Sequence, residues 1–398
     1  MNLVNEEKKY IYQTYRRFEL ILVKGKGQFV WDDRGKKYLD FFAGVSVCNI
    51  GHCHPRVVGA IKRQTEQLLH VSNHYYTAPQ IMLARDLVRR TFPGQVFFSN
   101  SGAEANECAI KLVRKWSNDR HAGENRNEII VFENSFHGRT MATLTATGQE
   151  KFHKGFEPLL PGFRYARHND IASVDALINK RTAAVMIEPV LGEGGVYPAS
   201  AEFIKALRSR CDKHNLLLVF DEIQTGLGRT GRMFAYEHYG IKPDIITLGK
   251  SLAGGLPIGA TIAKKELAGV FGHGDHGSTF GGNPVPCAAA REVLGVISQS
   301  LMRDIRVRGA YFAKGLESIK NRYPQLVRQV RATGLMLAME LEFPGREIVE
   351  YCQQRGLLIN CTQNTSLRFL PPFIITRADI DKAIGILEES LTWVASKR

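Results

Sequence analysis

The sequence lacks the cysteine spacing of a stapled or zinc-bound domain. Its seven cysteines (Cys48, Cys53, Cys108, Cys211, Cys287, Cys352 and Cys361) are odd in number and widely scattered, with no C-x-x-C pair. That argues against a disulfide framework and against a zinc ribbon, and the residues read as reduced thiols. His52-Cys53-His54 resembles a metal cluster, but adjacent residues in an extended loop rarely hold one ion together and no second ligand group follows, so no metal is expected. The chain also lacks an apolar run near the roughly 18 residues of a membrane span. The start, Met1 to Lys9, is polar and charged rather than signal-like, so a cytoplasmic protein with no membrane partner is expected. The formal charge is +14, yet Lys and Arg form no tract and no aromatic-basic stripe, which argues against nucleic acid. A basic surface of this kind would attract dicarboxylates. Internal repeats and disordered linkers are missing as well.

What is present is enough to bury one large core and a smaller second one: 398 residues, 44% of them hydrophobic,. Between about residues 90 and 265, short apolar runs alternate with amphipathic stretches, the pattern of a parallel sheet covered by helices. The runs are Val96–Phe98, Ile129–Phe132, Ala183–Ile187, Leu216–Phe220, Ile245–Leu248 and Ile258–Ile262. In such sheets ligands bind at the carboxyl ends of the strands. Before them, Phe29-Val30-Trp31 and Lys37-Tyr38-Leu39 flank an Asp32-Asp33-Arg34-Gly35 turn and predict a hairpin. After Asn283-Pro284, helical stretches through Ala288–Ile297 and Leu301–Lys320 precede strand-like Leu335–Leu341 and Leu367–Leu370 and a helix from Asp379. The expected division is an N-terminal arm (1–50) packing with a small domain, a large ligand-binding domain (51–285), and a C-terminal α+β domain (286–398).

Lys250 leaves the run Ile245–Leu248 through Gly249. Desolvation lowers an amine's pKa and favours Schiff-base formation with an aldehyde cofactor, although a single strand-end lysine could equally snorkel to solvent. Asp221 ends the preceding run, one helix-length crossover away, where a carboxylate can keep a pyridine nitrogen protonated and make the ring an electron sink. Alone, it could cap a loop or bind magnesium. The turn Ser99–Asn106 opens a helix running to Trp116, and free amides at a helix start suit a phosphate. Ser101 would in any case be an ordinary N-cap. Two decoys fail on context. Gly226–Gly231 spells G-x-G-x-x-G but does not leave its strand directly, which counts against a nucleotide-dependent dehydrogenase, and Gly249-Lys250-Ser251 has Asp244 where a P-loop needs glycine.

Asp221–Gly226, Leu248-Gly249-Lys250, Ser99–Glu107, Phe136–Thr140 and Gly277–Pro284 together resemble the class III aminotransferases over essentially the whole chain. Gly51–Pro55, Glu188-Pro189 with Gly192–Val196, and Leu367-Arg368-Phe369 are similar to the branch of that class that acts on acetylornithine. The resemblance implies an α/β enzyme of fold-type I, with a large domain on a mostly parallel sheet and a smaller α+β domain. It implies pyridoxal 5'-phosphate on Lys250, its phosphate at Gly102 and Ala103, Phe136 and Ile223 on opposite ring faces, Gln224 near the phenolic oxygen, and Thr279 reaching the phosphate of a neighbouring subunit in a homodimer. Arg139 would hold the α-carboxylate of an acylated ornithine, with Ser278 nearby. Arg368 would hold 2-oxoglutarate, with Glu193 neutralising it in the other half-reaction. The reaction implied moves the distal amine of N2-acetyl-L-ornithine to 2-oxoglutarate, a step of arginine biosynthesis. Ornithine, succinylornithine and 4-aminobutyrate aminotransferases share the cofactor. Ornithine enzymes typically carry a tyrosine in the loop matching Ala43–Val47, and this loop has none.

Overall fold

A computed structural model describes residues 3–397. Met1, Asn2 and Arg398, which end the arm and the C-terminal region in the division above, lie outside the described residues. The centre is a seven-stranded sheet in the order Gly94–Ser99, Gly259–Lys264, Ile245–Leu248, Leu217–Asp221, Thr182–Ile187, Glu128–Phe132, Phe163–Ala166. Its five inner strands are buried on both faces. Along Leu217–Asp221, Leu218 and Phe220 enter one core with Val185, Ile187, Ile246 and Leu248. Leu217 and Val219 enter the opposite one with Ala184, Met186 and Ile245. A strand covered on both sides reads as an unbroken apolar run rather than an alternating one, which is why these strands show so clearly in the sequence.

Three features differ from the expectation. Gly259–Lys264 runs antiparallel to both neighbours. It follows Ile245–Leu248 after only the stretch 249–258, and a parallel return needs a crossover of a dozen or more residues. The connection from Asp221 to Ile245 is not a helix crossover but a chain of tight turns with one short 3-10 segment, Ala235–His238. Phe163–Ala166 is an edge strand, half exposed, and its four residues FRYA carry too little apolar pattern to be read,.

The predicted hairpin forms, with Val30 opposite Tyr38. Its second strand, Lys37–Asp40, also pairs in parallel with Leu357–Leu358, so the N-terminal segment shares a small sheet with the C-terminal part of the chain. There, Val327–Thr333, Met336–Leu341, Ser366–Phe369 and Asn360–Thr362 form an antiparallel sheet beside the helices Gln299–Arg322 and Arg377–Ala395. Among the described residues no helix is long and apolar enough to cross a membrane.

Candidate active site

Leu217–Asp221 and Ile245–Leu248 are adjacent and parallel, with Asp221 level with Thr247. Their carboxyl ends therefore emerge side by side, and Asp221 and Lys250 come from the same edge of the sheet. Gly249 lets the chain pass close to the helix start. A Cβ on it would sit 3.1 Å from the Gly102 Cα, and one on Gly102 would meet Ile223 at 2.8 Å. The lysine strand, the Gly102–Arg120 helix start and Ile223 are thus packed to backbone contact. Lys250 itself has φ 43°, unusual for a residue with a side chain and typical of strain held at a functional site,. Burial pushes its amine below the ordinary lysine value, against the opposing pull of Glu193,.

Asp221 is buried and fully ordered by donors. Its Oδ2 accepts from His137 Nδ1 at 2.7 Å and from Asn106 Nδ2 at 2.8 Å, and its Oδ1 accepts from the Ile223 N–H at 3.0 Å. Asn106 also donates to the His137 carbonyl and accepts from Thr247 Oγ1 at 2.7 Å. It ties the helix, the lysine strand and the aspartate together. The second buried carboxylate, Glu188, accepts from the N–H groups of Phe136 (2.8 Å) and Gly192 (3.1 Å). Burial first, and the charge of Asp221 second, raise its pKa above the ordinary value for glutamate. Asn106, His137 and Glu188 were not assigned roles from the sequence. Asn106 did leave a signal, as a polar residue on a helix face otherwise made of Ala109, Ile110 and Val113,.

At the helix start Ser101 caps, its Oγ accepting from the Glu104 N–H at 3.1 Å. Gly102 and Ala103 follow, half-buried. Phe136 stands edge-on to Phe152 at 5.9 Å, and the Arg139 guanidinium lies 4.0 Å over the Phe152 ring and 5.7 Å over Phe136. Arg139 is exposed and forms no ion pair among the described residues. Arg368 is the reverse, buried and paired. It donates to Glu193 Oε1 at 2.7 Å and to the Gly192 carbonyl at 3.0 Å. Burial opposes the Glu193 charge, but the Arg368 guanidinium overcomes it and leaves that carboxyl below its usual value. Ser278 Oγ accepts from Asn100 Nδ2 at 3.2 Å, beside the helix start. Thr279 is exposed and lines a crevice with His70, Asn73 and Gln80.

These residues suit pyridoxal 5'-phosphate on structural grounds. Gln224 is buried with its amide oxygen unpartnered, as is His137 Nε2 next to the aspartate, and buried polar atoms without partners are uncommon. The Gly102–Gly249 approach leaves backbone amides of a helix start unshielded by side chains, which suits a phosphate.

A strand-end lysine with lowered pKa, a buried aspartate from the neighbouring strand and a helix start with open amides at one end of the sheet are the parts of a lysine-based group-transfer enzyme. The model of the class III aminotransferase family matches residues 10–391, and the chain belongs to that family. It is 52% identical to the acetylornithine aminotransferase of Methanocaldococcus jannaschii, over 98% of each chain. It is 49% identical to that of Caldanaerobacter subterraneus, over 98% of this chain and 99% of the relative. Among solved structures, the ornithine aminotransferase of Toxoplasma gondii, with partial occupancy of PLP at its active site, superposes with a TM-score of 0.95. The two are 34% identical, over 99% of this chain and 95% of that one.

Proposed function

We propose that the protein transfers the distal amino group of N2-acetyl-L-ornithine to 2-oxoglutarate, giving N-acetyl-L-glutamate 5-semialdehyde and L-glutamate, with pyridoxal 5'-phosphate held by Lys250. The observation that carries the reading is the meeting of Lys250, Asp221 and the Gly102–Ala103 amides at one end of the sheet. Bound there, pyridoxal phosphate supplies an aldehyde that takes up amines and a protonated ring that draws electrons from the carbon being deprotonated.

The chain's own groups do the rest. Asp221 holds the ring nitrogen's proton, and its three donors keep its oxygens aimed. Lys250 Nζ, with its pKa lowered by burial, serves as the base at the amine-bearing carbon and returns the proton afterwards,. Phe136 and Ile223 would flank the ring, and Gln224 would meet its phenolic oxygen. Arg139 holds the donor's α-carboxylate and Ser278 assists. Arg368 takes the 2-oxoglutarate carboxylate by a two-pronged contact once Glu193 releases it. Glu193 occupies that arginine at 2.7 Å otherwise, so one pocket serves two substrates of different charge.

The free thiol state of all seven cysteines suits the cytoplasm,. A homodimer explains why Thr279, assigned to a phosphate, faces outward beside exposed Phe280, and why Leu69 and Tyr76 are also exposed nearby in sequence to that crevice,.

The ornithine reading is favoured by the Toxoplasma likeness, but the absence of tyrosine from Ala43–Val47 and the names of the sequence relatives support the acylated donor. Purified protein supplied with 2-oxoglutarate should make glutamate faster from N-acetylornithine than from ornithine or 4-aminobutyrate. Borohydride should fix the chromophore to Lys250. Equal or faster turnover of free ornithine would overturn the donor assignment, and a protein that cannot be made to absorb in the Schiff-base band would overturn the cofactor.

A further inference from the structure

Ala43, Gly44, Val45 and Ser46 have φ of 50°, 62°, 62° and 65°. Of these four consecutive left-handed residues only Gly44 is at ease; Ala43, Ser46 and the β-branched Val45 are each unfavourable there, and left-handed residues ordinarily occur singly. Such a turn must be held from outside. Asp40 Oδ1 accepts from the Ala43 N–H at 2.9 Å at its start, and at its end stands Arg229, inside the Gly226–Gly231 loop that the chemistry above leaves unused. It is fully buried. Its Nε donates to Ser46 Oγ at 3.0 Å and its Nη2 to Asn49 Oδ1, while Nη1 donates to the carbonyls of Leu335 (2.7 Å) and Pro371 (2.8 Å). Ser46 Oγ in turn bonds Asn49 Oδ1 at 3.2 Å. The guanidinium also lies 4.8 Å from the Phe373 ring centroid.

No carboxylate pairs with Arg229 among the described residues, and burial pushes its pKa down with no charged neighbour opposing. A buried cation without a counter-ion is costly. Filling the space with an apolar side chain would cost less, so its five-donor planar fork is what the site requires.

What the turn touches shows what is being held. Val45 packs against Val190, Val196, Met336, Ala338 and Leu370. Val190 and Val196 bracket Glu193, Leu370 follows Arg368 by two residues, and Ala338 is the cross-strand partner of Arg368. The turn also lies against the Lys250–Ala253 segment. We propose that Arg229 is a positioning residue: it holds Ala43–Ser46 in the left-handed form and through that turn shapes the substrate pocket beside Lys250 and the Glu193–Arg368 pair. The effect on substrates rests on the aminotransferase reading; the effect on the turn does not.

The test uses the full-length, cofactor-loaded protein and three variants. Arg229→Lys keeps the charge and loses the fork. Ser46→Ala removes the Arg229 Nε bond and the Ser46–Asn49 bond and leaves Arg229 in place. Gly44→Ala strains the turn where a new Cβ would have room, 3.7 Å from Val47. Amide exchange at Ser46, Val47 and Cys48, whose N–H groups bond back to Phe42 and Ala43, should quicken by about tenfold or more in Arg229→Lys and less in the others. KM for donor and 2-oxoglutarate should rise about tenfold while kcat and the Lys250 chromophore change little. If Arg229→Lys does not fold, the other two variants report the same split. Unchanged exchange at these amides, or a lower melting temperature with KM unmoved, overturns the proposal. A wild-type protein with no chromophore overturns the cofactor reading instead, and exchange still reports on the clamp.

Discussion

The two arginines proposed to hold the substrates have opposite surroundings. Arg139 rests on aromatic rings and is exposed, whereas Arg368 is buried against Glu193. An unpaired guanidinium can take a carboxylate at once, but a paired one must first lose its partner. Arg139→Ala should therefore weaken chiefly the half-reaction that consumes the amino donor, by about 2 kcal/mol or more of lost charge-assisted bonding. Arg368→Ala should weaken chiefly the 2-oxoglutarate half. Single-turnover measurements of each half give the comparison, and equal losses in both would show the division of labour to be wrong. Glu193→Gln should raise the affinity for 2-oxoglutarate in the same assay, since it removes the competitor for Arg368.

At the scale of elements, the start of the Gly102–Arg120 helix joins a cap and the proposed phosphate seat on adjacent residues. Ser101 satisfies one orphan donor at 3.1 Å, and the amides of Gly102 and Ala103 are those proposed to receive the phosphate. Ser101→Ala should cost about 1 kcal/mol of stability from the lost cap, read by chemical denaturation. It should also weaken retention of pyridoxal phosphate in dialysis, because the frayed turn no longer aims its amides; a change in stability alone would separate the two functions.

The same element shows how far the sequence could be read. Strands buried on both faces were legible because burial on two sides leaves only apolar residues to choose from. The lysine, the aspartate and the helix start were legible because each sits where such a strand ends. Asn106 and His137 were harder to see, since their importance is to Asp221 at 2.8 and 2.7 Å, and contacts across more than eighty residues of chain leave no local pattern. The antiparallel Gly259–Lys264 strand was misread because a buried strand carries no mark of direction; only the short connection before it does. Arg229 was seen and set aside as part of a failed nucleotide motif, because a run of left-handed residues such as Ala43–Ser46 is not encoded by any turn composition.

For the molecule as a whole, His52 links the N-terminal segments. Its Nε2 meets Asp40 Oδ2 at 2.7 Å, and its backbone pairs with Gly27. The Asp40 hydrogen bond first, and the Cys48 thiol second, raise it from 6.5 to about 10. Because the folded value lies above the unfolded one, the folded state holds the proton more tightly. This contribution is complete below about pH 6.5 and is lost as pH rises through about 10,. Melting temperature should therefore fall between neutral pH and pH 10, by an amount on the order of 2 kcal/mol in stability. His52→Gln should be less stable at neutral pH and should flatten that slope. A variant with the same slope as the wild type would place its origin elsewhere.

The order of strands in the central sheet has a consequence in time. Among the described residues, Gly94–Ser99, which delivers the helix start, is held in the sheet only by Gly259–Lys264, the last of the seven strands to be made. While the chain is still emerging from the ribosome, the first strand of the site has no neighbour to join, and an unpaired strand edge is prone to wrong partners. The ligand-receiving end of the sheet can assemble only after residue 264 has been synthesised, so a newborn chain spends the translation of some 160 residues with that strand unpaired, at rates of about 5 to 20 residues per second.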